Sequence, residues 1–200
     1  MSFENVCMQC PAIPLEPSQV DRLAIVLGQT YYDEPRIRYI LRDEETRIRL
    51  LPELFRVAIH AAQLGGGIQT THRLDGAALW VGPGRKLTIG WTMRRGLPSM
   101  SRQLDWATLR RCVTLGLHLD EIHQRLIQAQ HFYLLALGVE SSVERDSVRA
   151  NLIEPLLSRA DSDDLPCYVE TFNDKALPFY ERHAFRIAGC GKIGGDGPDF

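Results

Sequence analysis

Long apolar runs are missing from this chain: no window approaches the ~18 consecutive apolar residues that a membrane helix requires, so a membrane is not an expected partner. Charge of one sign is missing too. The formal net charge is −2 over 200 residues, which gives no reason to expect nucleic acid or an anionic surface as a partner. The opening residues Met1–Leu15 lack the basic start and apolar run of a secretory leader. Cysteine is sparse and odd in number. The five thiols fit a reducing compartment, and a cytoplasmic location is expected. Cys7-x-x-Cys10 has no second CxxC to complete the four ligands zinc takes. His118 and His123 are five residues apart in HLDEIH, which is neither the i, i+4 pair of a helical metal site nor HExxH. Nothing resembling a Walker pattern follows Gly65-Gly66-Gly67, which reads as a helix stop. No metal is expected.

What remains is an ordinary globular composition, 44% hydrophobic and 24% charged, on a chain long enough for one domain with a proper core. A single domain over 1–200 is expected. Its charges are unevenly spread. Eight basic residues face two acidic ones between Arg73 and Arg111, and nine acidic face three basic between Glu140 and Asp174. Two solvated faces of opposite sign explain this, and so does a basic stretch facing an anionic ligand.

The pattern of elements is α/β. Ser18 stands where it can cap a helix carrying Val20, Leu23, Ala24 and Leu27 on one face. Asp43–Gln63 repeats apolar residues at helical spacing, Ile48, Leu51, Phe55, Ile59 and Ala62 among them. Ile68–His72 and Gly76–Val81 read as strands joined by a turn at Leu74-Asp75. Arg85–Gln103 is loop with some helix. Trp106–Gln128 is helical, with a break expected near Gly116. Phe132–Val139 is eight uncharged residues, the length and character of a buried central strand. An amphipathic helix through Leu152–Ala160, a strand at Cys167–Thr171, a short helix at Lys175–His183 and a strand from Phe185 complete the order. Strand, helix, strand, helix, strand implies partly parallel pairing with right-handed crossovers.

The runs HFYLLALGV, LIEPLLSRA, LPCYVET and NDKALPFYERHAF, between His131 and Phe185, resemble the cofactor half of GNAT acetyltransferases, most closely the puromycin N-acetyltransferase type. GAALWVGPG at Gly76–Gly84 resembles the same subgroup's first-half strand. The resemblance implies a GNAT fold, a mixed central sheet with a splayed strand pair flanked by helices. Residues 1–130 would form the acceptor half and 131–200 the cofactor half. It implies acetyl-CoA lying in the splay, gripped as an added strand by the backbone of Leu137 and Val139. Tyr180 falls where relatives keep the tyrosine that protonates the leaving thiolate. Asn173 would touch the cofactor arm, although helix capping alone explains it. His123 and His131 fall near the acceptor side. Glu170, ending a strand beside the opening, is the candidate base, although a structural acceptor is the plainer role.

One departure is sharp. The family's Gln/Arg-x-x-Gly-x-Gly/Ala loop cradles the diphosphate with backbone N–H groups. Its counterpart is Glu144–Arg149, with Ser147 and Arg149 at the small positions and carboxylates at Glu144 and Asp146. Arg145, Ser147 and Arg149 remain as side-chain contacts for phosphate. The chain also stops where relatives add a last strand, so either the sequence is cut there or an edge is left open or filled by a partner, a second copy of the chain being one candidate. Three functions follow: acyl-CoA-dependent N-acetylation of a small amine, a GNAT fold that has lost CoA and uses the cleft for another small molecule, and a non-catalytic partner domain.

Overall fold

A computed structural model describes residues 15–85, 104–140, 145–193 and 197–200, with Arg145 described in its backbone alone. Cys7, Cys10, Glu144 and positions 86–103 lie outside the described residues. None of the described helices is long and apolar enough to cross a membrane.

The first helix, α1 (Val20–Thr30), follows a 3-10 turn over Pro17–Gln19. Ser18 is not its cap: it sits inside that turn, and the Gln19 side chain instead accepts the Glu16 N–H at 3.1 Å. The short α2 (Pro35–Ile40) was not expected from periodicity, being only six residues long. Its signal is local, Pro at the first helical position and Glu34 accepting the Ile37 N–H at 3.2 Å. α3 (Glu44–Gly65) starts where Asp43 accepts the Thr46 N–H at 2.8 Å. Ile48, expected on its apolar face, is 60% exposed. α4 (Trp106–Leu126) runs unbroken through Gly116, since one glycine costs a helix only about 1 kcal/mol. α5 (Arg145–Ser162) and α6 (Leu177–Arg182) complete the α-helices among the described residues.

Four described strands form one mixed sheet in the order β1 (Gly66–Thr70), β2 (Gly76–Val81), β3 (Phe132–Val139) and β4 (Cys167–Val169). The first two pairings are antiparallel and β3–β4 is parallel. β4 ends at Val169, two residues earlier than its sequence suggests. Phe185–Ala188 forms no strand; Ile187 is exposed there, and the end of the chain holds only a bridge between Lys192 and Asp199. That segment lacks the alternating buried face that fixes a strand's register.

Each face of the sheet carries its own core. On one side Ala77, Leu79 and Ala136 pack with Leu23 and Leu27 of α1 and with Leu51 and Ile59 of α3. On the other, Ala78, Trp80, Leu134 and Leu137 pack with Leu152 and Ile153 of α5. Each fully buried aliphatic side chain contributes about 1.5–3 kcal/mol relative to exposure. The alternation along β3 has one fault. Phe132 and Leu134 face α5, and so do Leu137 and Val139, although the two residues between the pairs, Leu135 and Ala136, should have put them on opposite faces. The pairing explains it: Leu79 opposes Ala136 and Trp80 opposes Leu134, so Leu135 is an extra, bulged residue.

Gly138 decides where α1 lies. A Cβ added there would come within 2.8 Å of Leu27, 3.1 Å of Thr30 and 3.3 Å of Tyr31. Only a glycine lets the end of α1 settle onto β3, and that contact delivers Tyr31 to the site below.

Candidate active site

β3 and β4 are zipped only at Phe132–Cys167, Tyr133–Tyr168 and Leu134–Val169. Beyond Leu134 the bulge re-aims β3, β4 ends, and the strands part. The gap is a cavity of about 430 Å³ lined by both strands, the α1–α2 connection, α5 and α6. The expected splay is therefore present.

The backbone of Leu137 faces this cavity, as expected, but it is not free. Its N–H donates to the Tyr31 hydroxyl at 2.9 Å, and the same hydroxyl donates to its carbonyl at 3.2 Å. One side chain thus satisfies both groups that an added strand would use. Val139, expected beside Leu137, is buried and is not among the residues that line the cavity.

Tyr180 lines the cavity from α6, its ring edge-on to Phe179 at 5.4 Å and to Phe185 at 5.5 Å. No hydrogen bond to its phenol occurs among the described residues. Burial raises its pKa, and the nearby Tyr31 adds to this against the opposing charges of Arg149 and Arg36. The group therefore stays protonated at physiological pH, the state a proton donor needs.

Glu170 lies one residue past β4, at the same cavity, and accepts the Tyr133 hydroxyl at 3.1 Å. Its carboxyl pKa is raised by burial, while the charge of Arg36 and hydrogen bonds from Tyr133 and Tyr168 pull the other way. His123 places Nδ1 3.8 Å from Glu170 Oε1 and Nε2 2.7 Å from His131 Nε2. His131 Nδ1 lies 2.7 Å from the Ala129 carbonyl, and a carbonyl only accepts. His131 Nδ1 therefore carries a proton. With both rings neutral, His131 Nε2 is the acceptor, His123 Nε2 donates, and the bare Nδ1 of His123 is turned to Glu170. Burial, followed by the neighbouring His131, pushes His123 down to about 4. Glu170, His123 and His131 thus stand in a row from the cavity to a second pocket, which both histidines line.

At the cavity's other end, Asn173 is a cap and a lining residue at once, accepting the Lys175 N–H at 3.1 Å. Arg149 lines the cavity with its guanidinium 5.8 Å from the Phe179 ring centre and its buried Nε without a partner. The expected Glu144–Arg149 loop is shorter than its sequence suggests. α5 already begins at Arg145, so Ser147 and Arg149 occupy helical turns and need no left-handed backbone. Ser147 is exposed and does not line the cavity. Asp146 is engaged by Arg182 and lies 3.8 Å from Arg149, so its charge is offset.

Sequence reasoning missed Tyr31, Arg36, Tyr133 and Tyr168. Tyr133 and Tyr168 were visible only as polar atoms in apolar strands, and Tyr31 and Arg36 belong to the half without a motif.

No family model matches the chain. A curated relative, the uncharacterized N-acetyltransferase C550.08 of Schizosaccharomyces pombe, is 25% identical over 180 residues, 86% of this chain and 72% of that protein. Among solved structures, one described as histone acetyltransferase HPA2 and related acetyltransferase from Corynebacterium glutamicum superposes with a TM-score of 0.63 at 19% identity, over 96% of this chain and 93% of the other. The sheet order, the bulged β3 and its departure from β4, together with this structural likeness, give the chain a GNAT fold.

Proposed function

We propose that the chain is an acyl-CoA-dependent N-acetyltransferase acting on a small amine. Acetyltransferase relatives support the reaction class. The observation that carries the reading is the cleft itself, where the N–H and C=O of Leu137 face a cavity and are held only by a side-chain hydroxyl. When bound, acetyl-CoA supplies a thioester whose C–S bond breaks as the new N–C bond forms.

The residues present fit that group. Leu137 offers one donor and one acceptor in strand geometry once Tyr31 turns away. Arg149 offers an unpartnered Nε at the cavity wall beside α5. Glu170, kept basic by its raised pKa, takes the proton of the acceptor amine. Tyr180, protonated and without another partner among the described residues, gives its proton to the departing sulfur.

Tyr31 also supports a second reading, in which the cleft has lost CoA and binds a different small molecule, because its hydroxyl already completes the strand edge. Thermal denaturation with acetyl-CoA separates the two. Ligand at about 100 times its Kd adds about 2.7 kcal/mol of stability and a clear rise in Tm. No rise with millimolar acetyl-CoA would remove the first reading.

A further inference from the structure

The cavity holds a cation that the transfer chemistry does not use. Arg36, on the first turn of α2, lines the cleft. It is held from two sides: Glu34 Oε2 lies 3.6 Å from its Nε, and the Phe172 ring centre lies 5.3 Å from its guanidinium carbon. These contacts lie at the guanidinium's inner nitrogen and on its face. Its two terminal nitrogens make no hydrogen bond or ion pair among the described residues. Glu34 is its paired carboxylate, and Glu170 is a second carboxylate lining the same cavity. Arg36 and Glu170 feel each other's field, yet no ion pair joins them. A cation and an anion thus line one cleft without closing on each other.

A pre-oriented guanidinium with two free N–H edges is the usual partner of a planar carboxylate, which it binds through two parallel hydrogen bonds. A buried carboxylate beside it suits an ammonium group that must lose a proton. We propose that the acceptor amine of this cleft carries a carboxylate, held by Arg36, while its amino group is presented to Glu170. The substrate class is that of amino acids and short peptides with the amine and carboxylate close together. The inference rests on the acetyl-transfer reading for its chemistry, although carboxylate binding does not depend on acetyl-CoA. Glu34 serves here as a positioning residue, since it touches Arg36 and not the acceptor.

The test uses the full chain and two matched series: leucine, leucinamide and 3-methylbutylamine, and phenylalanine, phenylalaninamide and phenethylamine. Thiol release from acetyl-CoA gives kcat/KM for each, and thermal shift without acetyl-CoA gives binding. The carboxylate members are expected to exceed the other two by about tenfold to a hundredfold, the usual weight of a charge-assisted pair. Arg36→Gln should collapse that ratio toward one, and Arg36→Lys, which keeps the charge and loses the fork, should restore part of it. Equal or better use of the amides in the wild type overturns the proposal, and it does so without any variant that has to fold. A preference that survives Arg36→Gln overturns it as well. Should no acceptor be acetylated, a wild-type thermal shift with the amino acids that disappears in Arg36→Gln upholds the carboxylate site and sinks only the acetyl-transfer reading. Amino acids that neither react nor bind overturn the proposal.

Discussion

β3 lies against β4 over Phe132–Leu134 and apart from it over Leu135–Val139, and the two halves keep different company. Around the zipped half are Tyr133, Tyr168, Glu170 and His123, a buried polar cluster whose members hold one another. Along the open half the cavity is bounded by Tyr31, Arg149 and Tyr180, which are packed against rings and leave polar atoms with few partners. A single bulged residue, Leu135, separates the two. The zipped half holds polar groups that satisfy one another, whereas the open half holds the Tyr180 phenol and the Arg149 Nε, which have no hydrogen-bond partner among the described residues; a polar group already paired in the fold has less left to offer a ligand.

Three substitutions probe that division. The largest effect is expected at Tyr180. Tyr180→Phe removes the proton donor and should lower kcat by about a hundredfold or more, with Tm and acetyl-CoA binding nearly unchanged. Unchanged turnover would mean that the phenol only packs.

Glu170 comes next. A base works deprotonated, so kcat/KM should rise with pH through a limb set above the ordinary glutamate range, the direction in which burial moves this carboxyl. Glu170→Gln should erase the limb and cut turnover by about a hundredfold. Folding stability gives an independent reading of the same titration. The folded pKa is raised, so the native state holds the proton longer than the unfolded chain, and stability falls as pH rises from the unfolded value through the folded one. The variant should lose that dependence. A limb that persists in Glu170→Gln would assign the base elsewhere.

The smallest effect belongs to Tyr31. Tyr31→Phe removes two hydrogen bonds from Leu137, each worth about 0.5–1.5 kcal/mol net, and leaves the strand edge open. The protein should become slightly less stable, while acetyl-CoA binds up to about tenfold more tightly by titration. Weaker binding in the variant would show that the hydroxyl helps the cofactor instead of standing in its place.

Much of the scaffold was legible from residue pattern. Eight uncharged residues at Phe132–Val139 announced the central strand, and the stripe through Leu152 and Ile153 announced the helix that covers it. Tyr180, Glu170, Asn173 and Arg149 were placed in the cleft by resemblance, and all four line it. The failures have local causes. Val139 was expected to grip a ligand because strand periodicity alone does not say how far along the strand a cavity reaches. The loop at Glu144–Arg149 was read for missing glycines, but α5 begins at Arg145 and changes what those positions must do. α2 is too short to show a period, and Arg36 went unnoticed with it.

By itself the sequence determined the kinds and order of elements from Phe132 through Arg182, because burial on two faces or on one stripe leaves a mark at fixed spacing. Only the tertiary structure decided that Tyr31 meets Leu137, that Arg36 shares a cleft with Glu170, and that His123 stands between Glu170 and His131. Those contacts join residues distant along the chain or on different elements. They depend on a bulge and on a glycine that lets a helix approach, features that leave no periodic trace in the order of residues.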